Sequence, residues 1–206
     1  MDDAVKKVLD GFEARAAEER RLISEMSSAE FADRRDEFLL PVGPATGAFI
    51  NLLAKEAAAK TIVEIGASYG YSTVWLAEAA RETGGTVISL ELEAHKIDTA
   101  REALSQAGLK EWVDFRVGDA QETLEEIAEP VDFALLDVWK GLYIPCFDRL
   151  YPKLAADAIL VADNMIRPES TRPQAESYRQ HIRSKGTLES ILLPVGTGLE
   201  VSRHIG

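Results

Sequence analysis

Cysteine is nearly absent: Cys146 stands alone among 206 residues. One thiol excludes an intrachain disulfide and leaves no Cys-based zinc set. Positive charge is also scarce. Lys and Arg number 23 against 35 Asp and Glu, giving a net charge of −12. That balance argues against a surface for a nucleic-acid backbone, which needs clustered basic residues, although it leaves room for a local basic pocket. No apolar run reaches the roughly 18 residues that suit a membrane span. The first residues are acidic and lack the apolar core of a signal peptide. A soluble, reducing, cytoplasmic setting without a membrane partner is the expectation.

What is present is ordinary globular material. Hydrophobic residues make up 46% of the chain, and the length suits one domain with a full core. We expect one domain over 1–206, with a helical appendage and cap at 1–58 and an α/β core at 59–206. Val5, Val8, Leu9 and Phe12 fall at helical spacing and predict an amphipathic helix over 3–26. Residues 27–44 read as loop or short helix, and a helix is expected at about 45–58. From residue 61 strands and helices alternate. Strands are expected at 61–65, 86–91, 112–117, 131–136 and 158–163. Helices are expected at 72–82, 94–107, 120–127, 143–154 and 171–184. This alternation predicts a parallel sheet with helices on both faces. The alternation stops at 188–193 and 199–204, two strand patterns around Pro194-Val195-Gly196-Thr197-Gly198 that read as a β-hairpin.

The densest signal is Ile62-Val63-Glu64-Ile65-Gly66-Ala67-Ser68-Tyr69-Gly70-Tyr71-Ser72, followed by a strand ending in Glu91. Strand, glycine loop, helix, strand and terminal carboxylate is the layout of an adenosine-ligand site in a doubly wound sheet. Glycine lets backbone approach a ligand, helix-start N–H groups face the crevice, and a carboxylate can accept from both ribose hydroxyls. A dinucleotide fingerprint would need a third glycine five residues after Gly66, where Tyr71 stands. The terminal hairpin also speaks against a typical dinucleotide dehydrogenase.

With Leu136-Asp137-Val138-Trp139-Lys140 and Ala162-Asp163-Asn164-Met165-Ile166-Arg167-Pro168 added, the chain resembles the metal-dependent small-molecule O-methyltransferases over about residues 36–205. That family includes catechol and caffeoyl-CoA O-methyltransferases. The resemblance implies a Rossmann-like class I methyltransferase fold, with a seven-stranded, mostly parallel sheet ending in an antiparallel hairpin. It implies S-adenosylmethionine as cofactor and a divalent metal: magnesium, or another such as manganese or calcium. Val42 matches a backbone contact to the methionine end. Glu64, Gly66, Ser68 and Ser72 match positions around methionine and sugar, with Tyr71 in the same loop. Glu91 matches the ribose carboxylate, and Asp119 and Ala120 match positions beside adenine. Asp137, Asp163 and Asn164 match the metal ligands, Asp137 also bordering the cofactor. Lys140 matches the general base.

The residue chemistry is consistent with those roles. Asp137 and Asp163 end predicted parallel strands, the edge where open α/β sheets bind ligands. Two carboxylates and an amide oxygen form a hard, all-oxygen set suited to magnesium. Each residue also has a plainer reading. An Asp after a buried strand is often a cap or turn former. Lys140 can be a carboxylate's partner on the surface. Phe38, Leu40 and Trp139 are candidates for an apolar wall around an aromatic acceptor, or for core.

The chain departs from the catechol enzymes near Glu189-Ser190-Ile191, where an apolar residue aligns with their late substrate-gripping acid. No basic cluster suits coenzyme A phosphates. The leading expectation is methyl transfer to a small, vicinal-dihydroxy aromatic. Alternatives are a transfer-RNA hydroxyuridine O-methyltransferase, disfavoured by the net charge, and a non-catalytic S-adenosylmethionine-binding protein. The N-terminal helix either covers the acceptor pocket or forms a homodimer contact; periodicity leaves both open.

Overall fold

The structure is a computed structural model that describes residues 1–128 and 130–206. Strands β1 (Thr61–Ile65), β2 (Thr86–Glu91), β3 (Val113–Val117), β4 (Val131–Leu136) and β5 (Leu154–Ala162) are joined by β6 (Leu188–Leu193) and β7 (Leu199–His204). Their order is β3-β2-β1-β4-β5-β7-β6. Neighbours from β3 through β5 pair in parallel, and β7 runs antiparallel to both β5 and β6. This is the expected Rossmann-like sheet with its terminal hairpin.

Alternation along the strands explains the two faces. Ile62, Val87, Phe133, Leu135 and Val161 belong to one buried cluster. Their neighbours Val63, Ile88, Ala134, Leu136 and Leu160 belong to the other. Helices α1 (Asp3–Glu25), α3 (Pro44–Glu56), α4 (Tyr71–Thr83) and α5 (Ala94–Gln106) cover the first face. Helices α6 (Ala120–Glu125), α7 (Tyr143–Leu150) and α8 (Arg172–Ser184) cover the second. Helix α2 (Ser28–Arg34) and a 3-10 turn at Arg35–Glu37 lead to the strap before α3.

Helix α1 is built as its spacing predicts. The Asp2 carboxylate caps it by accepting from the Val5 N–H at 3.0 Å. Val5, Leu9, Phe12 and Ala16 form its buried stripe, which packs on α4 and α5. Burying such side chains contributes about 1.5–3 kcal/mol each for the larger ones. Among the described residues, no helix is long and apolar enough to cross a membrane.

The main differences from expectation lie around β5. The strand begins at Leu154, not near 158, because Leu154 already pairs with Val131. The register then shifts, so that Phe133 faces Ile159. Asp157 in the irregular stretch has φ +64° and accepts from Arg203 at 2.6 Å. Ala155-Ala156-Asp157 carries no alternating apolar signal, so the sequence pattern hides this early pairing. The expected helix at 143–154 ends at Leu150, and a 3-10 turn takes over through Lys153.

Candidate functional site

The loop after β1 lies against the end of β4. Gly66 has φ +98°, and a Cβ there would sit 2.1 Å from the Asp137 carbonyl oxygen. Any side chain would push the two strand ends apart. The N–H groups of Gly66 and Ala67 both donate to the Leu90 carbonyl, at 3.0 and 3.1 Å. Gly70, with φ +94°, caps α4 and lies close against Ala100.

Glu91 is held in place by backbone. Its two carboxylate oxygens accept from the Ser68 N–H at 2.8 Å and the Glu93 N–H at 3.0 Å. A carboxylate has about four acceptor positions, so capacity remains for a pair of ribose hydroxyls. The Gly118 N–H donates to the Glu91 carbonyl at 3.0 Å, which brings Asp119 and Ala120 beside Glu91. Asp119 is exposed and caps α6 through the Gln121 N–H at 2.7 Å. Val42 is buried next to the hairpin turn, its carbonyl close to Gly196.

Two side chains in the expected cofactor set face elsewhere. Glu64 is fully buried, and its oxygens accept from Ser72 and Thr73, both at 2.6 Å, and from Ser89 at 2.5 Å. It ties the start of α4 to β1 and β2 through these three hydroxyls. Burial pushes its pKa up, against the pull of those three hydroxyls. Tyr71 turns toward the N-terminal helix. Its hydroxyl donates to Glu13 at 3.2 Å, and its ring meets Phe12 edge-on at 5.9 Å. An aromatic at the first position of α4 finds its apolar partner on α1, which the local sequence does not reveal.

Asp137 and Asp163 come together at the carboxyl edge. The Asp137 N–H donates to Ile65 and the Asp163 N–H to Leu136, both at 3.0 Å. Each acid is therefore one residue past its strand, tied to the last carbonyl of the strand beside it. Among the described residues the Asp137 carboxylate accepts no hydrogen bond, whereas Asp163 accepts from Thr197 Oγ1 at 2.6 Å. Burial pushes the Asp137 carboxyl well above the usual carboxylate range, and the Asp163 charge raises it further. Burial raises Asp163 too, opposed by its hydrogen bond from Thr197.

Lys140 is the cation beside these acids. Its ammonium donates to the Tyr143 hydroxyl, to the Asp163 carbonyl at 3.1 Å and to Asn164 Oδ1 at 3.3 Å. Burial pulls its pKa down to about 8, outweighing the attraction of Asp137 and Asp163. Tyr143 is fully buried and donates to the Asp163 carbonyl at 3.0 Å.

Asn164 adopts φ +54°, a left-handed conformation that Asn tolerates better than most residues. Its Nδ2 donates to Thr197 Oγ1 at 2.9 Å. A hydroxyl has one proton, and Thr197 spends it on Asp163, so it can only accept from Asn164. That fixes the amide with its oxygen toward Lys140 and its nitrogen toward Thr197 and Asp163, whose Oδ2 lies 3.4 Å away. Among the described residues no three His, Cys, Asp or Glu side chains gather as a metal set; the expected set has two acids and an amide.

The three candidate wall residues differ. Phe38 is buried and packs 6.0 Å from Phe31. Leu40 is 45% exposed with φ +43°. Trp139 is 50% exposed, and the Arg35 guanidinium lies 3.9 Å above its ring. Two cavities of about 470 and 430 Å³ lie away from this cluster, beside Pro152 and beside Asp132. Neither includes any of these residues.

Sequence reasoning did not single out Thr197, Tyr143 or Arg35. Thr197 sits in a loop read only as a turn. Tyr143 stands three residues after Lys140, a spacing that puts two side chains on one helical face and was the available signal. Arg35 lies in a charged stretch with no pattern.

The O-methyltransferase family model matches residues 13–205. A catechol O-methyltransferase of Niastella koreensis is 32% identical over 151 residues, covering 68% of this chain and 68% of that protein. Caffeoyl-CoA O-methyltransferase 2 of Zea mays is 26% identical over 188 residues, covering 81% and 71%. The fold also superposes on the Bacillus cereus O-methyltransferase solved with S-adenosylhomocysteine, at TM-score 0.77 and 24% identity, over 99% of this chain and 91% of that one. The protein belongs to the O-methyltransferase family and is an S-adenosylmethionine-dependent enzyme of the catechol and caffeoyl-CoA type.

Proposed function

We propose that the protein methylates a small aromatic acceptor with two neighbouring hydroxyls, and that it needs a divalent cation, magnesium or a similar hard ion, to do so. The observation that carries this reading is the Asp137 carboxylate, which accepts no hydrogen bond among the described residues and lies beside Asp163 and Lys140, with the Asn164 amide oxygen 3.3 Å from the Lys140 ammonium. A carboxylate whose pKa is raised by burial and by the charge of a neighbouring acid marks a site short of positive charge. Lys140 offsets part of that deficit. The all-oxygen donor set fits a hard cation, with Asp137, Asp163 and Asn164 Oδ1 as its holders.

When bound, such a cation would lower the pKa of a chelated hydroxyl and orient it. The remaining work belongs to the chain. Glu91 and the glycine loop hold the adenosine end of the cofactor. Lys140 in its neutral form accepts the acceptor's proton, and its depressed pKa makes that form accessible. The deprotonated oxygen then takes the methyl group from sulfur, and the S–C bond breaks as the O–C bond forms. Holding oxygen, carbon and sulfur in line can supply roughly 7–11 kcal/mol of the barrier reduction. Leu40 and Trp139 form the open rim against which a flat ring rests.

The test is labelled-methyl transfer from S-adenosylmethionine to a panel of dihydroxy aromatics, with magnesium, with a chelator, and with Asp163→Ala. Transfer that needs both the metal and Asp163 is the expected result. Transfer indifferent to chelation would sink the metal assignment. Transfer to no member of the panel, with cofactor binding intact, would sink the acceptor assignment.

A further inference from the structure

The strap over the acceptor rim carries a cation without an anionic partner. Arg34 is paired with Glu37 at 2.9 Å, and Asp36 faces Lys96 at 3.5 Å. Arg35 makes no ion pair among the described residues. Its guanidinium carbon lies over the Trp139 ring, 3.9 Å from the ring centre.

Stacking fixes what that guanidinium offers. A face laid on an aromatic ring leaves the N–H edge open in a fork that matches a carboxylate. The indole holds the plane, so less freedom is lost when an anion binds. The backbone around Arg35 is also pinned. Arg15 stacks on Tyr69 at 4.2 Å and donates to the Glu37 carbonyl at 3.3 Å. The Tyr69 hydroxyl donates to the Asp36 carbonyl at 3.2 Å, and the Leu39 N–H donates to Glu19 at 2.7 Å. Helix α1 and the core thus hold the strap on both sides of the turn.

Position supplies the rest. Trp139 is two residues beyond Asp137 and one before Lys140. With about 3.8 Å between adjacent Cα atoms, it stands within about 8 Å of both along the chain. An acceptor ring with its hydroxyls at Asp137 and Lys140 would have Trp139 and Arg35 within the span of its far substituents.

We propose that Arg35, stacked on Trp139, is a carboxylate-binding subsite, and that the preferred acceptors are dihydroxy aromatics bearing an acid group. This rests on the acceptor reading above and narrows it to an anionic class. One guanidinium suits a single carboxylate. A coenzyme A or nucleic-acid backbone would call for several basic side chains together.

The experiment compares 3,4-dihydroxybenzoate with its methyl ester as acceptors, in the wild-type protein, Arg35→Gln and Arg35→Glu, with magnesium and saturating S-adenosylmethionine. The ester keeps both hydroxyls and the electron-withdrawing carbonyl and loses only the charge. The ratio of kcat/KM for acid over ester is read within each variant, which cancels any general loosening of the strap. We expect the wild type to favour the acid by about tenfold, through KM, as for one charge-assisted hydrogen-bonded pair at a partly exposed site. Arg35→Gln brings the ratio near one, and Arg35→Glu inverts it. A wild-type ratio near one, or a ratio that Arg35→Gln leaves unchanged, overturns the subsite while the dihydroxy-aromatic reading stands. Transfer to neither compound nor to catechol overturns both.

Discussion

Glu64 lies in β1 and Asp137 one residue past its partner β4, and both carboxylates are pushed up in pKa by burial. Their surroundings differ. Three hydroxyls donate to Glu64; none donates to Asp137 among the described residues. Burying an acid without partners is costly, so folds ordinarily supply them. Glu64 has its partners in the chain and serves the fold. Asp137 is half-buried, accepts no hydrogen bond among the described residues and lies beside another acid, an arrangement that leaves its oxygens open to a ligand. The comparison is one of hydrogen-bond accounting: one acid is satisfied within the chain and the other is left open.

Mutation of each acid tests the contrast. Asp137→Asn should lower methyl transfer by about a thousandfold, equivalent to about 4 kcal/mol of barrier. In metal-free protein it should not lower thermal stability, because it removes a repulsion with Asp163. A melting curve and a transfer assay on one sample show both. Glu64→Ala should do the reverse in emphasis. It strands three buried hydroxyls, and unfolding in urea should show a loss of about 3 kcal/mol.

Smaller effects sharpen the contrast. Magnesium at a hundredfold above its Kd should stabilise the wild type by about 2.7 kcal/mol, seen as a raised Tm, and Asp137→Asn should erase that gain. Thr197→Ala should weaken magnesium binding roughly tenfold by calorimetry, with Thr197→Ser restoring it. The smallest effect is on pH dependence. The folded-state pKa of Glu64 is raised, so the native state holds its proton where the unfolded chain has lost it. Stability therefore declines as pH rises from the ordinary carboxylate value through the raised one. Glu64→Gln should remove that part of the slope in urea titrations run across pH.

Much of this site was legible in the chain. Gly66, Glu91, Asp137, Asp163 and Asn164 sit where buried strands end, and near-continuous apolar runs such as Phe133-Ala134-Leu135-Leu136 mark those ends. The structure gathers Asp137, Asp163, Asn164 and Lys140 at one edge, as strand order alone implies. What was hidden depends on distant packing. Tyr71 is in the loop motif, yet its ring answers to Phe12 and Glu13, over fifty residues earlier. Thr197 matters because β7 inserts between β5 and β6, bringing a hairpin turn onto Asn164. Arg35 matters because a strap crosses to Trp139. The early start of β5 was obscured by a register shift that no periodicity encodes.

The position of Thr197 also bears on the order of assembly. Pairing β4 with β5 sets the two acids side by side, but the Asn164 amide takes its orientation from a turn reached only after α8 and β6. A partly folded chain would carry the two negative charges without the oriented amide. For the proposed cation, tight capture would then arrive late in folding, as a sign that the hairpin has docked, and such a cation present during refolding would select the finished sheet over its unfinished forms.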